Sequence, residues 1–271
     1  MKIGFIGAGN MGYPLLKGAA AAFGRENVTF VSKRREREEK VAAELGISFA
    51  PRLLDMVMQS DIIVLAVKPQ YAAEVYPDVR LAMSKEKIVI SVMAGIDMRG
   101  LKKETGAVKL VRAMPNTPAM LGEGMTCISC SETVSEVERE VVRTLFSGVG
   151  RIEEIHEELM NAAICANGSS PAFVYLFMEA LADAVVKYGI PRDMAYRLVG
   201  QTVLGSAKML LESGDHPGAL KDAVCSPGGT TIAGVAALEE SGLRGAVIRA
   251  ADACYERACA MERERERTEK R

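Results

Sequence analysis

Met1-Lys-Ile-Gly-Phe-Ile6-Gly7-Ala8-Gly9-Asn10-Met11-Gly12 decides the fold. Its first six residues read as a buried strand. The G-x-G-x-x-G turn follows at once, and an apolar helical pattern runs from Tyr13 to Ala22. Strand, glycine turn and helix in that order form the opening of a dinucleotide-binding βαβ unit. Gly7 permits the tight turn, Gly9 lets backbone approach a pyrophosphate, and Gly12 lets helix and strand pack closely. With Ala8, Asn10 and Met11, they are the candidate cofactor cradle. Outward from it the alternation continues. Strands are expected near 2–6, 28–31, 62–67, 88–92, 108–112, 125–129 and 150–155. Helices are expected at 11–23, 34–45, 51–58, 70–83, 97–104 and 134–147. Short strands separated by helices imply an α/β fold, a Rossmann-like, doubly wound, mostly parallel sheet. The late strands are expected as antiparallel edge additions.

The second strand bears on which dinucleotide binds. An NAD-binding chain usually ends this strand in Asp or Glu, which holds the ribose 2′-hydroxyl. Here Val28–Val31 is followed by Ser32, Lys33, Arg34 and Arg35, with no acid before Glu36. Guanidinium groups bind a 2′-phosphate bidentately and a carboxylate repels it, so NADP(H) is preferred, with NAD(H) as the alternative. A solvated start to a charged helix would carry the same residues.

Around residue 157 the pattern changes. From Glu158 to Met261 there is only helical periodicity. A helix starts at Ser169-Ser170-Pro171, with a serine cap and proline in its first turn, and stops at Gly189. Others are expected at about 192–212, 217–224, 231–240 and 244–261. The chain thus divides into a 1–157 dinucleotide-binding domain and a 158–271 all-α domain. Small residues such as Gly200, Gly205, Ala246 and Ala250 permit close helix approach, and the helices are apolar over more than one face. Part of that surface is therefore expected to meet another subunit. The balanced charge run Glu262–Arg271 reads as a solvated helix end or frayed terminus.

Composition suits a soluble enzyme. The chain has 271 residues, 49% hydrophobic residues and a net charge of −1, which leaves no electrostatic footprint for nucleic acid. No apolar run is read as approaching membrane-spanning length, and no signal-peptide pattern is seen, so a cytoplasmic location without membrane contact is expected. The six cysteines lack a disulfide framework. Cys127-x-x-Cys130 lies on an expected strand without a second pair or nearby histidines, so reduced thiols are favoured over a metal site. His156 and His216 sit in polar stretches and read as surface residues.

Asp222-Ala-Val-Cys-Ser-Pro-Gly-Gly-Thr-Thr-Ile-Ala-Gly234 is the second informative stretch. A Ser-Pro-Gly-Gly turn entering a helix presents free backbone N–H groups and a partial positive charge, able to hold a small carboxylate without Lys or Arg. Thr230 and Thr231 place hydroxyls beside it. Further strand exits lie at Ala66-Val67-Lys68-Pro69, at Val92 to Ala94, and at Val111–Pro118, which contains Asn116; such exits contact ligands in doubly wound folds.

The motifs Gly7–Gly12, Ala66–Pro69, Val111–Pro118, Gly168-Ser-Ser-Pro-Ala172 and Asp222-x-Val-x-Ser-Pro-Gly-Gly-Thr-Thr231 together resemble the pyrroline-5-carboxylate reductase family. The resemblance spans residues 2 to about 258, and Ser-Pro-Gly-Gly-Thr-Thr is its most specific element. It implies NAD(P)H-dependent reduction of the C=N bond of 1-pyrroline-5-carboxylate to L-proline, the last step of proline biosynthesis. It also implies cofactor contacts from the Gly7–Gly12 turn, Ser32 and its basic neighbours, Ala66–Pro69 and the Val92–Ala94 exit. The substrate carboxylate would sit on Ser226, Gly228, Gly229, Thr230 and Thr231, with Thr231 near the ring nitrogen as the catalytic candidate. Glu157 matches an acidic position near the substrate. Homodimers through C-terminal helices, decamers built from dimers, and a site whose two halves come from partner subunits are implied as well. Asn167, Ser170 and Leu53 depart from the family pattern. A β-hydroxyacid-type or other imine reductase, or a dinucleotide-binding sensor, are the other readings. The former would carry a polarising lysine on a helix of the second domain, where Lys187, Lys208 and Lys221 stand in no recognisable motif. No metal is implied.

Overall fold

A computed structural model describes residues 1–269, with side chains through Glu264. Its strands are β1 (Ile3–Ile6), β2 (Val28–Val31), β3 (Ser48–Phe49), β4 (Ile62–Leu65), β5 (Ile88–Ser91), β6 (Lys109–Met114), β7 (Gly124–Cys130) and β8 (Gly150–Glu154). They form one sheet of order β3-β2-β1-β4-β5-β6-β7-β8. The chain starts in the middle. β1 pairs in parallel with β2 on one side and β4 on the other, Ile3 opposite both Val28 and Ile62. The connections therefore diverge between β1 and β4, where doubly wound sheets open a crevice at the carboxyl ends of their strands.

Strand composition explains the two-sided core. Along β4, Ile62 and Val64 face one apolar layer with Leu15, Phe30 and Phe146, while Ile63 and Leu65 face another with Val57, Val79 and Leu101. A side-chain period of two within an uninterrupted apolar run fits a sheet buried on both faces. The covering helices are α1 (Gly12–Phe23), α2 (Arg35–Leu45), α3 (Leu53–Gln59), α4 (Ala72–Leu81), α5 (Met98–Thr105) and α6 (Glu136–Ser147). Two carry side-chain caps. Asp97 accepts from Gly100 N at 2.8 Å, and Ser135 with Glu138 forms a capping box at α6.

Two expectations need correction here. β7 runs antiparallel to β6, as expected for an edge addition, but β8 pairs with β7 in parallel. α6 intervenes between them and returns the chain to the starting end, so β8 enters in the same direction as β7. β3 was not anticipated, since two residues are too few to show alternation; it adds Ser48 and Phe49 beside Thr29 and Phe30.

The remaining helices are α7 (Met160–Ala163), α8 (Ser170–Lys187), α9 (Arg192–Ser213), α10 (Pro217–Val224), α11 (Thr230–Glu240) and α12 (Leu243–Glu269). Contacts divide the chain into two compact units, Met1–Ser169 together with the segment from Cys254 onward, and Ser170–Ala253. Against a sequence boundary drawn at 157/158, Met160 lies in a buried cluster with Met114 and Cys127 of the sheet unit. The charged tail continues α12 as far as Glu269; Lys270 and Arg271 lie outside the described residues.

The serine-capped start at Ser169 is not how α8 begins. A π-helical turn over Ile164–Gly168 joins α7 to α8, with Ser169 N donating to Ile164 O at 2.8 Å. Pro171 explains the widened turn, since it has no N–H for the Asn167 carbonyl and its ring crowds that carbonyl. The continuous stretch Glu157–Lys187 is long and apolar enough, by length and composition, to cross a membrane, contrary to the expectation from sequence. The difference arises because the helical backbone starts well before Ser169.

Candidate functional site

The three glycines of the first turn meet different surroundings. Gly7 has φ +106°, and a Cβ there would lie 2.5 Å from Ala66 O; one on Gly12 would lie 2.2 Å from Gly7 O. Both positions demand glycine for conformation or packing. A Cβ on Gly9 would meet nothing within 4 Å. Gly9 is exposed, so the open space above it is the kind of cradle that a pyrophosphate backbone contact requires. Asn10 is exposed and Met11 half-buried beside it, while Ala8 is buried and contributes backbone. The start of α1 adds the partial positive charge of a helix N-terminus, although Tyr13 N is bonded to Gly9 O at 2.9 Å and Pro14 has no N–H to give. These residues fit a bound dinucleotide.

The carboxyl ends of the parallel strands are stitched together around this turn. Gly7 N donates to Val31 O at 2.9 Å, Ala66 N to Ile6 O at 2.8 Å, and Val92 N to Leu65 O at 3.1 Å. Ala66, Val67, Val92 and Ala94 are half-buried there, with Lys68 and Pro69 exposed. Asn116, at the exit of β6, accepts from Met125 N at 2.9 Å through Oδ1. The sequence-derived cofactor residues thus gather at one edge of the sheet.

The exit of β2 holds more than its sequence reading. Lys33 pairs with Glu74 at 3.1 Å and lies over the Tyr71 ring. Arg35 pairs with Glu39 at 3.0 Å and covers Phe49. Arg37 donates from Nε to Ala8 O at 2.9 Å, bracing the glycine turn. Arg34 is exposed and has no ion pair among the described residues. Ser32 N donates to Oε1 of Glu38 at 2.8 Å, and Glu38 is only 8% exposed. Glu38 and Arg37 are functional candidates that sequence reasoning missed. The signal was present for Glu38, which shares the inner face of α2 with Val41 and Leu45 at i, i+3 and i+7.

Glu157 sits at the first residue of a short 3₁₀ turn. Its Oε1 accepts from Met98 N at 2.6 Å and from Arg112 at 3.1 Å. Arg112 is buried on β6 and also reaches Glu262 of α12 at 3.3 Å, which in turn accepts from Asn161 at 2.8 Å. This clamp was not foreseen. An arginine within the apolar run Leu110–Met114 was its signal.

In the helical unit, Ser226–Gly229 forms the turn ahead of α11. Gly228 has φ +68°, and Gly229 N closes the turn on Ser226 O at 3.0 Å. A Cβ on Gly229 would lie 2.5 Å from Ser226 Oγ, so glycine lets the serine fold over the turn. Gly229 caps α11 without a side-chain bond, which leaves the N–H groups of its first turn free for a ligand. Ser226, Gly228 and Thr230 are exposed, and Thr231 is half-buried.

Residues 157–261 match the model described as pyrroline-5-carboxylate reductase dimerisation, and residues 2–95 match NADP oxidoreductase coenzyme F420-dependent. A pyrroline-5-carboxylate reductase of Escherichia coli (strain K12) is 42% identical over 261 residues, covering 95% of this chain and 97% of the relative. The chain belongs to the pyrroline-5-carboxylate reductase family. One from Pisum sativum is 39% identical over 94% of both chains. Among solved structures, a Plasmodium falciparum pyrroline carboxylate reductase with NADP bound superposes at TM-score 0.85, with 34% identity over 97% of this chain and 98% of that one. A Coxiella burnetii pyrroline-5-carboxylate reductase gives TM-score 0.89, with 30% identity over 96% and 98%.

Where this chain departs from the pyrroline-5-carboxylate reductase pattern, the new side chains are used. Asn167 is buried in the π turn and donates to Met114 O at 2.6 Å and Met125 O at 3.2 Å, tying β6 to β7. Leu53 packs against the apolar layer of α3 to α5, and Ser170 opens α8. Of the lysines that a β-hydroxyacid-type reductase could use, two are paired, Lys208 with Glu212 at 3.6 Å and Lys221 with Asp222 at 2.5 Å, and Lys187 is exposed in the last turn of α8. Cys127 and Cys130 cannot chelate one ion together, because three residues apart on β7 they face opposite sides of the sheet. Burial pushes the Cys130 thiol up to about 11, and Cys127 is raised for the same reason.

Proposed function

We propose that this chain is a cytoplasmic homodimeric reductase that converts 1-pyrroline-5-carboxylate to L-proline with NADPH, NADH being the alternative cofactor. The observation that carries the reading is the Ser226–Thr231 turn, a helix start stripped of side-chain caps, in a chain of this family. A carboxylate placed there gains several N–H donors and the field of α11 without a salt bridge. Bound in the cradle of Gly7–Gly12, the nicotinamide cofactor supplies hydride.

The chain's own residues hold and orient. Gly9 and the first turn of α1 would take the pyrophosphate, Ser32, Lys33 and Arg34 the adenosine end, and Ala66–Pro69, Val92, Ala94 and Asn116 the remainder. Ser226, Gly228, Gly229 and Thr230 would anchor the substrate carboxylate, with Glu157 near the substrate. Thr231 Oγ1 would hydrogen-bond the ring nitrogen of the imine, which accepts hydride most readily when protonated; the proton comes from solution. Fixed dipoles and positioning then supply most of the barrier reduction.

Dimer formation is supported by the match to the dimerisation model and by the apolar helical surface. Further assembly to decamers, with each site drawing its two halves from different subunits, is part of the same reading. We assign the membrane-length stretch Glu157–Lys187 to a second copy of the chain and not to lipid. The six free thiols suit a reducing compartment. NADPH oxidation on adding 1-pyrroline-5-carboxylate tests the function. Turnover is expected, and no turnover with it or with its six-membered homologue would overturn the reading.

A further inference from the structure

Sequence alone leaves the end of β2 without an acid, whereas the fold supplies one from α2. Glu38 lies on the buried stripe of that helix with Val41 and Leu45, and its Oε1 takes the backbone N–H of Ser32, the first residue after β2. The carboxylate is therefore bonded to the backbone of the residue at which a dinucleotide-binding chain usually presents the acid that accepts the ribose 2′-hydroxyl. It keeps an 11% exposed edge, and its nearest cation, Arg35 at 3.9 Å, is already bonded to Glu39 at 3.0 Å. Lys33 and Arg37 are likewise engaged, by Glu74 and by Ala8 O. Among the cations of this stretch Arg34 alone has no side-chain partner among the described residues and is exposed, free to meet a 2′-phosphate.

We propose that Glu38 is the residue that sets cofactor selectivity, accepting the 2′-hydroxyl of NADH and opposing the pull of Arg34 on the 2′-phosphate of NADPH. The proposal rests on the dinucleotide reading above. It implies that the preference for NADPH is held in check by this carboxylate. Glu38→Gln is the sharp variant, because its amide oxygen can still accept from Ser32 N while the charge is gone.

The test titrates the full-length protein with adenosine 2′,5′-bisphosphate and with AMP by calorimetry, neither of which can turn over. Removing one unit charge a few ångströms from the phosphate is expected to tighten the bisphosphate relative to AMP by about tenfold. The NADPH to NADH ratio of kcat/KM should move the same way. A purely structural Glu38 would change both affinities together and leave their ratio where it was. Should the Gln variant unfold, Glu38→Met, an uncharged chain of similar length that suits the apolar stripe, carries the same expectation. A ratio changed by less than about twofold, or moved toward AMP, overturns the proposal alone. Binding of neither nucleotide by the unaltered protein overturns the cofactor reading and this proposal with it.

Discussion

The sheet unit and the helical unit solve the problem of burying apolar side chains in opposite ways. In the sheet unit, Phe5, Leu15, Phe30, Ile63, Leu65, Ile90 and Phe146 are fully enclosed by the chain's own layers. In the Ser170–Ala253 unit only Ala182, Ala195 and Val199 are buried, while Leu176, Leu204, Leu211 and Ile248 are more than half exposed. One unit has a complete core. The other has a small seam between α8 and α9 and a broad apolar exterior, far more than a soluble monomer usually shows. The difference teaches that the second unit leaves its core unfinished on its own, in the part of the chain that matches a dimerisation model.

The sharpest way to break this comparison is to charge the unfinished surface. Leu204, in mid α9, is 55% exposed, so an aspartate there costs the isolated chain little. In a dimer it buries an unpaired carboxylate in each subunit. Leu204→Asp is expected to raise the dimer dissociation constant on the order of a hundredfold or more. Analytical ultracentrifugation reads the effect, with activity falling alongside. A variant that stays as tightly associated as the original would show that α9 faces water in the assembly, and the contrast between units would lose its cause.

The second test asks whether the sheet unit is as self-sufficient as its core suggests. Arg112 is buried with two carboxylate partners, each about a third exposed. Removing one member of a buried ion network leaves the others unpaired, at about 3–5 kcal/mol when all are fully buried. Arg112→Met should cost roughly 2–3 kcal/mol, less than that range because Glu157 and Glu262 can regain water. Urea unfolding should show this loss in the original dimer and equally in the Leu204→Asp background. A loss found only in the dimer would mean that the sheet unit borrows stability from association.

Much of this contrast was legible in the sequence. The G-x-G-x-x-G turn between an apolar run and a helix pattern placed β1, and the stops at Gly189 and Gly214 placed the ends of α8 and α9 within a residue or two. Local chemistry writes such signals. What stayed hidden were contacts between residues far apart in the chain. Glu262 meeting Arg112 spans 150 residues, and no local pattern encodes it. β3 was too short to alternate, and the parallel entry of β8 depended on where α6 returned the chain. Glu38 lay between these cases: its place on the apolar stripe was readable, but its hydrogen bond to Ser32 needed the fold. The two backbone turns proposed for binding, Gly7–Gly12 and Ser226–Thr231, were the most readable, because glycine and turn chemistry declare themselves locally.

The smallest expected effect falls on the helical unit and separates the two roles proposed for it, association and substrate binding. Thr231 is half-buried in the first turn of α11, where its hydroxyl can be lost without opening a core cavity. Thr231→Ala should lower kcat/KM by about 1–3 kcal/mol, the scale of one oriented hydrogen bond. If the hydroxyl acts on the ring nitrogen during reduction, kcat carries the loss; a change confined to KM would make it a ground-state contact only. Dimerisation and thermal stability should both be unchanged, since α11 keeps its glycine cap. An unaltered kcat/KM would remove Thr231 from the mechanism, leaving the backbone N–H groups of the turn as all that α11 contributes.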